Sequence, residues 1–431
     1  MLDKPFKRIS VIGLGYIGLP TAAMFASRKI EVVGVDVNAR AVDTINRGEI
    51  HIVEPDLDMV VHAAVKEGYL RAALEPEPAE AFLIAVPTPF KGENHEPDLS
   101  YIKAASRSIA PVLRPGNLVI LESTSPVGAT EAMAAWLAEA RPDLTFPHIS
   151  GEASDIRIAH CPERVLPGKV MQELITNDRV IGGMTPRCSA LAARLYETFV
   201  TGKCIVASGP RVAEMCKLTE NSFRDVNIAF ANELSLICDE LGMDVWELIR
   251  LANRHPRVNI LQPGPGVGGH CIAVDPWFIV SSAPETARLI RTAREVNDSK
   301  PEWVLSKVRE AVGAHLMEHP GQSAKDVTIA VYGLTFKPDI DDLRESPALE
   351  IAIKILDSHA GPVIIVEPMV DHCPPELKRA RFMKDAVDVV SDIGVLLVDH
   401  ASFRRRRPAA KITVDTRGLW SLDEPTKPSV R

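Results

Sequence analysis

Residues 9–18 read Ile-Ser-Val-Ile-Gly-Leu-Gly-Tyr-Ile-Gly, and this stretch decides the fold of the first part of the chain. The apolar run at its start predicts a buried strand, and the spacing Gly13-x-Gly15-x-x-Gly18 predicts a tight turn into a helix. A second apolar run at 31–35 follows the helical pattern and is closed by an aspartate. Strand, glycine turn, helix, strand and acid, in that order, indicate a dinucleotide-binding unit of a parallel sheet.

Each part of this unit has a physical role in holding a dinucleotide. The first two glycines let the backbone approach a pyrophosphate, and the third allows the helix to pack closely on the strand. The helix N-terminus offers amide donors and the positive end of its dipole to the phosphates. Asp36 is placed to accept hydrogen bonds from the ribose and would repel a 2′-phosphate, which favours NAD over NADP. The predicted NAD contacts in this unit are Gly13, Gly15, Tyr16, Ile17, Gly18 and Asp36.

Two further apolar runs, 81–86 and 117–121, lead into loops that carry hydroxyl side chains. Ligands of open α/β sheets bind beyond the carboxyl ends of the strands. We therefore expect Thr88 and Thr124, one from each loop, to line the cofactor cleft. An ordinary turn is the alternative, because Pro, Ser and Thr cluster in turns.

The middle of the chain has a helical pattern from about 211 to 241, followed by another at about 283–297. Lys217 and Asn221 are four residues apart in the first of these, so both project from one face of the helix. Beyond the helices, strand-like and helical segments alternate again. The sequence predicts an α/β protein with two Rossmann-like, doubly wound parallel-sheet domains joined by a central all-helical segment. The predicted domains are 1–205, 206–310 and 311–431.

Four glycines between residues 264 and 269 stand just before Cys271, and Asp275 follows four residues later. Glycines at this density serve backbone that takes unusual dihedral angles or lies close to a ligand. The loop therefore indicates either a cysteine nucleophile or a Gly/Pro turn that happens to contain a cysteine. Near the C-terminal strands, Lys337 and Arg344 are basic groups suited to a phosphorylated ligand, or else part of a solvated loop of mixed charge.

Length and composition exclude several classes of protein. With 431 residues, two or three domains are expected. A net charge of −8 argues against nucleic acid as a partner. Seven cysteines without a C-x-x-C pair disfavour a disulfide framework and a zinc site, so we expect no metal. No apolar run approaches 18 residues and the N-terminus lacks a signal pattern, so we expect a cytoplasmic protein without a membrane span.

The motifs at 13–18, 217–221, 264–275 and 336–346, taken in this order, resemble the UDP-glucose/GDP-mannose dehydrogenase family over nearly the whole chain. That resemblance implies NAD-dependent, four-electron oxidation of the primary alcohol of a sugar nucleotide to the carboxylate. Stretches such as 269–278 are similar to the branch that oxidises UDP-N-acetylhexosamines. UDP-glucose members usually follow the cysteine with Phe-Pro-Lys, where this chain has Ile-Ala-Val at 272–274, which disfavours glucose.

The resemblance also implies a role for each candidate residue. Cys271 would capture the aldehyde as a thiohemiacetal that is oxidised to a thioester. Lys217 and Asn221 would stabilise the oxyanions, and Asp275, Glu163 and Thr124 would serve proton transfer and water activation. The expected contacts of the UDP-sugar are Lys217, Asn221, Arg257, Gly268, Lys337 and Arg344.

Within the branch, the resemblance implies UDP-N-acetyl-D-mannosamine as the substrate, for bacterial surface polysaccharide synthesis, and a homodimer or larger homo-oligomer. UDP-N-acetyl-D-glucosamine is the alternative. More remote alternatives are UDP-glucose, a two-electron hydroxyacid dehydrogenase that needs no cysteine, and a sensor that binds nucleotide sugars without reaction.

Overall fold

The computed structural model describes residues 6–92, 95–166, 168–269, 271–386, 389–405 and 409–420. The chain divides into two compact units, Met1–Glu220 with Trp277–Pro284, and Asn221–Pro276 with Glu285–Arg431. The finer division into three domains stays a prediction. Within the described ranges, no helix combines the length and apolar character needed to cross a bilayer.

The first unit is built on a sheet flanked by helices on both faces. Its strands are β1 (Arg8–Ile12), β2 (Glu31–Val35), β3 (Leu70–Ala73), β4 (Ala81–Ile84), β5 (Phe90–Lys91), β6 (Glu96–Pro97), β7 (Leu118–Leu121), β8 (Arg157–His160), β9 (Arg179–Gly183) and β10 (Cys204–Val206). Its helices are α1 (Gly18–Ser27), α2 (Ala39–Asn46), α3 (Leu57–Lys66), α4 (Ser100–Ile109), α5 (Ala129–Ala140), α6 (Pro147–Ser150), α7 (Val170–Thr176) and α8 (Pro186–Tyr196). The sheet order is β10-β9-β8-β7-β4-β1-β2-β3, and β5 and β6 form a separate hairpin.

All neighbours in this large sheet are parallel except β8 and β9. Successive residues of a strand point to opposite faces, so a sheet covered on both sides needs continuous apolar strands. In β4, Leu83 packs into the core on one face while Phe82 and Ile84 pack into the core on the other. Because the central strands run parallel, their carboxyl ends, and the loops after them, lie at one edge of the sheet.

The second unit contains helices followed by a smaller parallel sheet. Helix α9 (Pro210–Glu240) begins in the first unit and ends in the second, whereas α11 (Asp275–Ser282) begins in the second unit and belongs to the first from Trp277 on. The other elements of the second unit are α10 (Val245–Ala252), α12 (Arg288–Glu318), β11 (Ile329–Tyr332), α13 (Pro347–Ser358), β12 (Val363–Val366), β13 (Arg381–Met383), β14 (Val390–Leu396) and β15 (Ala409–Asp415). The strand order is β13-β12-β11-β14-β15. The predicted fold class, two doubly wound sheets with helices between them, is confirmed.

Helix α12 differs most from its prediction. It begins at Arg288 rather than near 283, and it continues through Pro301 to Glu318. Proline in a helix interior removes a hydrogen bond and usually ends the helix. Here Val304, Leu305 and Val308 belong to the core of the second sheet, so tertiary burial sustains the helix beyond the proline.

The two sheets repeat one local design. Gly13 has φ 90° and donates to Val35 O at 2.8 Å, and Gly333 has φ 91° and donates to Val366 O at 2.9 Å. The amide after each glycine donates to the carboxylate that follows the second strand. These bonds measure 2.9 Å for Leu14 N to Asp36 and 2.7 Å for Leu334 N to Glu367.

Candidate active site

The glycine turn of the first unit is shaped by backbone contacts at two positions and by open space at the third. A Cβ added to Gly13 would lie 2.6 Å from Ala85 O, and one added to Gly18 would lie 1.8 Å from Gly13 O. A Cβ on Gly15 would meet nothing within 4 Å. The chain itself therefore requires Gly13 and Gly18, while Gly15 borders the space where a pyrophosphate would approach. This cradle fits a dinucleotide.

Asp36 is fixed by two backbone amides. One carboxylate oxygen accepts from Leu14 N at 2.9 Å and the other from Asn38 N at 2.9 Å. The side chain is half-buried, as are Tyr16 and Ile17 at the start of α1. Because each carboxylate oxygen has more than one lone pair, Asp36 retains capacity to accept from a ribose hydroxyl.

Hydrogen bonds join the loops after β4 and β7, which carry Thr88 and Thr124, and the place of these threonines in a cofactor cleft stays a prediction. The Thr88 hydroxyl donates to Thr124 O. Ser123 Oγ donates to Val86 O at 2.6 Å, so the same two loops are held at a second point. The two threonines therefore lie together at the carboxyl edge of the sheet.

Glu163 lies in a buried ion pair that the sequence analysis did not foresee. Arg179 Nη1 donates to Glu163 Oε2 at 2.5 Å, and the two side chains are 2% and 6% exposed. The other oxygen of Glu163 accepts from Arg164 N at 2.7 Å. The Arg164 side chain in turn pairs with Glu220 at 2.7 Å, which fixes this loop to α9 one turn beyond Lys217.

Glu122 is a second buried carboxylate at the same sheet edge, directly after β7. Its Oε1 accepts from the Tyr196 hydroxyl at 2.6 Å, and its Oε2 has no partner among the described residues. Burial, and then the like charge of Glu163, raise the pKa of Glu122 to about 7. Burial also raises the pKa of the neighbouring Cys161 thiol. Glu122 is therefore protonated below neutral pH, while Glu163 keeps Arg179 as its counter-ion.

In the second unit, Cys271, Asp275 and Asn221 are brought together. Cys271 O accepts from Asp275 N at 2.8 Å, so one turn separates the half-buried cysteine from the first residue of α11. Asn221 Nδ2 donates to Asp275 Oδ2 at 2.5 Å, and both side chains are buried. A thiol, a carboxylate and an amide at one place can support nucleophilic chemistry with proton transfer.

A buried polar network supports the loop that leads to Cys271. Arg294 Nη1 and Asn297 Nδ2 both donate to Asp225 Oδ1, at 2.7 and 2.8 Å. Asn232 donates to Asn297 Oδ1 at 2.8 Å and accepts from Gly264 N at 2.8 Å. The network ties α9 and α12 to the first glycine of the loop.

The predicted UDP-sugar contacts Gly268, Lys337 and Arg344 belong to one region of the second unit. A Cβ on Gly268 would lie 2.3 Å from Glu345 O and 2.9 Å from Phe336 Cβ, so the glycine loop packs directly on this segment. Lys337 is half-buried, and Arg344 is paired with Asp342 at 2.5 Å. Lys337 and Arg344 are the two basic side chains of the segment 336–346, and cationic side chains of this kind suit phosphate oxygens.

The remaining predicted site residues are Lys217 and Arg257. Lys217 is half-buried on α9, one turn before Asn221, in the part of the helix that belongs to the first unit. Arg257 lies on an exposed turn, and its side chain makes no hydrogen bond or ion pair with the described residues. Across those residues, no group of three or more His, Cys, Asp or Glu side chains is arranged to hold a metal ion.

Comparison with known families identifies all three parts of the chain. Residues 7–200 match the NAD binding domain of the UDP-glucose/GDP-mannose dehydrogenase family, residues 211–299 its central domain and residues 330–422 its UDP binding domain.

Individual relatives are similar over almost their full length. The chain is 66% identical to a UDP-N-acetyl-D-mannosamine dehydrogenase of Yersinia pestis over 96% of this chain and 99% of the relative. It is 64% identical to an NDP-N-acetyl-D-galactosaminuronic acid dehydrogenase of Ralstonia nicotianae over 97% and 98%. The solved structure of UDP-D-ManNAc dehydrogenase from Pyrococcus horikoshii is 38% identical, with a TM-score of 0.83 over 96% of each chain. The protein therefore belongs to the UDP-glucose/GDP-mannose dehydrogenase family, and its cofactor is NAD.

Proposed function

We propose that the protein oxidises UDP-N-acetyl-D-mannosamine at C6 to UDP-N-acetyl-D-mannosaminuronate, for bacterial surface polysaccharide synthesis. The observation that carries this proposal is the group formed by Cys271, Asp275 and Asn221, in a chain 66% identical to a UDP-N-acetyl-D-mannosamine dehydrogenase. A two-electron dehydrogenase has no use for a nucleophilic cysteine at this place, whereas a four-electron oxidation needs the aldehyde held between its two steps.

When bound, NAD supplies the hydride acceptor, and the four-electron reaction consumes two molecules of it per sugar. Loss of a first hydride from C6 and of the hydroxyl proton converts the primary alcohol to the aldehyde. The thiolate of Cys271 then adds to the aldehyde carbon and forms a thiohemiacetal. Loss of a second hydride leaves a thioester on the same sulfur. Water then attacks the acyl carbon, the carbon–sulfur bond breaks, and the carboxylate leaves with the thiol restored.

The neighbouring side chains complete the chemistry in this proposal. Lys217 and Asn221 stabilise the oxyanions of the two tetrahedral species, a type of contact worth about 10²–10³ in rate for each donor. Asp275 and Glu163 accept and return protons, and Thr124 orients the water. Buried hydrogen bonds support these roles for two of them, since Asn221 fixes Asp275 and Arg179 fixes Glu163.

In this proposal three basic side chains and one glycine bind the substrate. Lys337 and Arg344 contact the pyrophosphate, Gly268 allows the sugar to approach the backbone, and Arg257 adds a further charge. The packing of Gly268 on the segment that carries Lys337 supports this assignment.

The galacto-configured UDP-N-acetylhexosamine is a second candidate substrate. It is favoured by the relative named for N-acetyl-D-galactosaminuronic acid, whose 64% identity is nearly equal to that of the mannosamine enzyme. Overall identity therefore does not separate the two sugars.

The deciding experiment supplies purified protein with NAD and each of the manno-, gluco- and galacto-configured UDP-N-acetylhexosamines, without an epimerase. Two NADH per sugar with the manno epimer is expected. One NADH per sugar, or full activity of Cys271→Ala, would overturn the thioester mechanism. Preference for another epimer would overturn the choice of sugar. Cys373→Ala, which removes another half-buried thiol, is the matched control.

A homodimer through α9 also belongs to this proposal. Phe223, Phe230 and Ile237 are spaced by seven residues, and their exposures of 68%, 52% and 43% leave one apolar stripe open on the helix. A row of exposed apolar side chains of this kind favours a protein partner, and a second copy of the chain satisfies it with twofold symmetry. A cytoplasmic location stays a prediction, tested by cell fractionation.

A further inference from the structure

Glu367 and His400 form a buried pair in the second unit, outside the set of predicted site residues. Both side chains are 0% exposed, and His400 Nε2 lies 3.3 Å from Glu367 Oε2. The carboxylate also accepts from the amides of Leu334 and Met369, each at 2.7 Å. Burial acts to raise the pKa of Glu367, but the hydrogen bonds from His400 and the two amides outweigh it and hold the pKa below its ordinary value.

Glu367 holds the position in the second sheet that Asp36 holds in the first. Asp36 is half-buried and open to a ribose, whereas Glu367 is enclosed and has no surface to offer a ligand. In the first unit we expect this acid, Asp36, to contact the ribose of the bound dinucleotide. In the second unit the corresponding acid, Glu367, is buried in the protein. The contacts of its partner His400 show which segment of the chain the pair supports.

His400 makes contacts with the segment 335–339, which contains Lys337. Asp339 N donates to His400 Nδ1 at 3.0 Å, and Ala401 N donates to Asp339 Oδ1 at 2.9 Å. Asp339 has φ 60°, in the left-handed region that a side chain other than glycine enters only when its surroundings hold it there. The His400 imidazole and the backbone N–H of Ala401 are the groups that hold Asp339 in this conformation.

His400 also contacts Thr335, which precedes Lys337 in the chain. Thr335 Oγ1 lies 3.4 Å from His400 Nε2 and donates to Lys337 O at 2.8 Å. The peptide that carries Lys337 is therefore fixed on both sides by contacts of one buried ring. Because Nδ1 accepts from an amide, the ring proton is on Nε2, which faces Glu367.

We propose that His400 and Glu367 are positioning residues for the UDP moiety, which fix the segment 335–339 so that the Lys337 ammonium meets the pyrophosphate. The proposal rests on the proposed function, in that it takes the second sheet as the UDP site. It requires the acceptor at the Nδ1 position, because that atom holds the strained Asp339 peptide.

Two variants of His400 in the full-length protein distinguish the positioning role from a simple loss of packing. In His400→Asn the amide oxygen takes the place of Nδ1 and keeps the acceptor for Asp339, whereas His400→Gln carries its polar atoms near the Nε2 position instead. The affinity for UDP alone is measured by calorimetry, with the affinity for NAD as an internal reference. We expect His400→Gln and Lys337→Ala each to weaken UDP binding about tenfold or more, and His400→Asn to retain most of the affinity.

His315→Gln is the matched control, because His315 is also 0% exposed in the second unit but bonds to Gln322 instead of the 335–339 segment. UDP binding by His400→Gln equal to the wild type would overturn the proposal. Equal weakening in His315→Gln and His400→Gln, or in both His400 variants, would also overturn it. A wild-type protein that does not bind UDP would instead contradict the proposed function.

Discussion

Asn221 Nδ2 donates to Asp275 Oδ2 at 2.5 Å, and the two side chains are only 4% and 3% exposed. Asn221 comes from α9 and Asp275 begins α11, so the bond joins two elements 54 residues apart in sequence. An amide that donates to a buried carboxylate fixes the orientation of that carboxylate. An amide nitrogen carries two N–H groups, and the described residues show a partner for one of those of Asn221, so the proposed oxyanion contact falls to the other.

Replacing Asn221 by Asp should therefore be more damaging than replacing Asp275 by Asn. The first change sets two carboxylates against each other, so the pair must share a proton, and we expect kcat to fall by about 10²–10³ or more. Asp275→Asn keeps a hydrogen bond but removes the base, so thioester hydrolysis slows and an acylated Cys271 accumulates. Intact-protein mass spectrometry after mixing with UDP-sugar and NAD detects the adduct. Equal rates for both variants and the wild type would contradict this role of the pair.

Gly15 and Gly18 should respond differently to alanine. Gly15 has open space around it, so Gly15→Ala should fold within about 0.5 kcal/mol of the wild type yet raise the KM for NAD about tenfold or more. In Gly18→Ala the new Cβ would lie 1.8 Å from a carbonyl oxygen, and we expect a loss of about 3 kcal/mol or more in unfolding free energy. Urea unfolding and NAD titration together separate the two effects. Similar stability losses in both variants would be inconsistent with the open space at Gly15.

Glu122 should make stability fall as the pH rises toward neutrality. Its pKa is raised from 4.5 to about 7 in the folded protein. The folded state thus holds the proton more tightly than the unfolded state. The stabilisation is complete below pH 4.5 and is lost as the pH passes 7, a change of about 3 kcal/mol.

Glu122→Gln should abolish this contribution while retaining the acceptor for Tyr196. The unfolding free energy of the wild type minus that of the variant is therefore expected to fall by about 3 kcal/mol between pH 4.5 and 7.5. His160, whose pKa burial lowers to about 3, acts with the opposite sign, but it is present in both proteins and cancels. Parallel stability curves would rule out the raised pKa of Glu122.

Arg179 should be essential for accommodating the Glu163 carboxylate in a buried site. Arg179→Met leaves the carboxylate without its counter-ion and should cost about 3–5 kcal/mol in unfolding free energy. Adding Glu163→Gln removes the isolated charge, so the double variant should recover part of that loss. Urea titrations of the single and double variants measure the coupling. A double variant as unstable as Arg179→Met would mean that the arginine acts through packing alone.

The apolar stripe on α9 predicts the behaviour of Phe230→Asp in solution. A charge at the centre of the stripe opposes its burial against a second copy, so by light scattering we expect a monomer for the variant and a dimer for the wild type. Leu289→Asp is the control, because Leu289 is 69% exposed but lies on α12. Dimers of both variants would place the dimer interface elsewhere.

The sequence by itself determined the features that are local. The glycine spacing at 13–18, the acid at 36 and the apolar runs predicted the first unit, because turn, helix and strand each depend on neighbouring residues. The cysteine with a carboxylate four residues later could be predicted in the same way, since a single turn brings them together.

Only the tertiary structure decided which distant side chains meet. Arg179 and Glu163, Tyr196 and Glu122, and His400 and Glu367 are 16, 74 and 33 residues apart. Their pairing depends on which strands are adjacent in the sheet and which helix covers them, and no local pattern encodes that choice. Helix α12 likewise continues past Pro301 because its apolar face is buried in the second core. Burial makes these interactions strong, because a charge removed from water must find its partner within the protein.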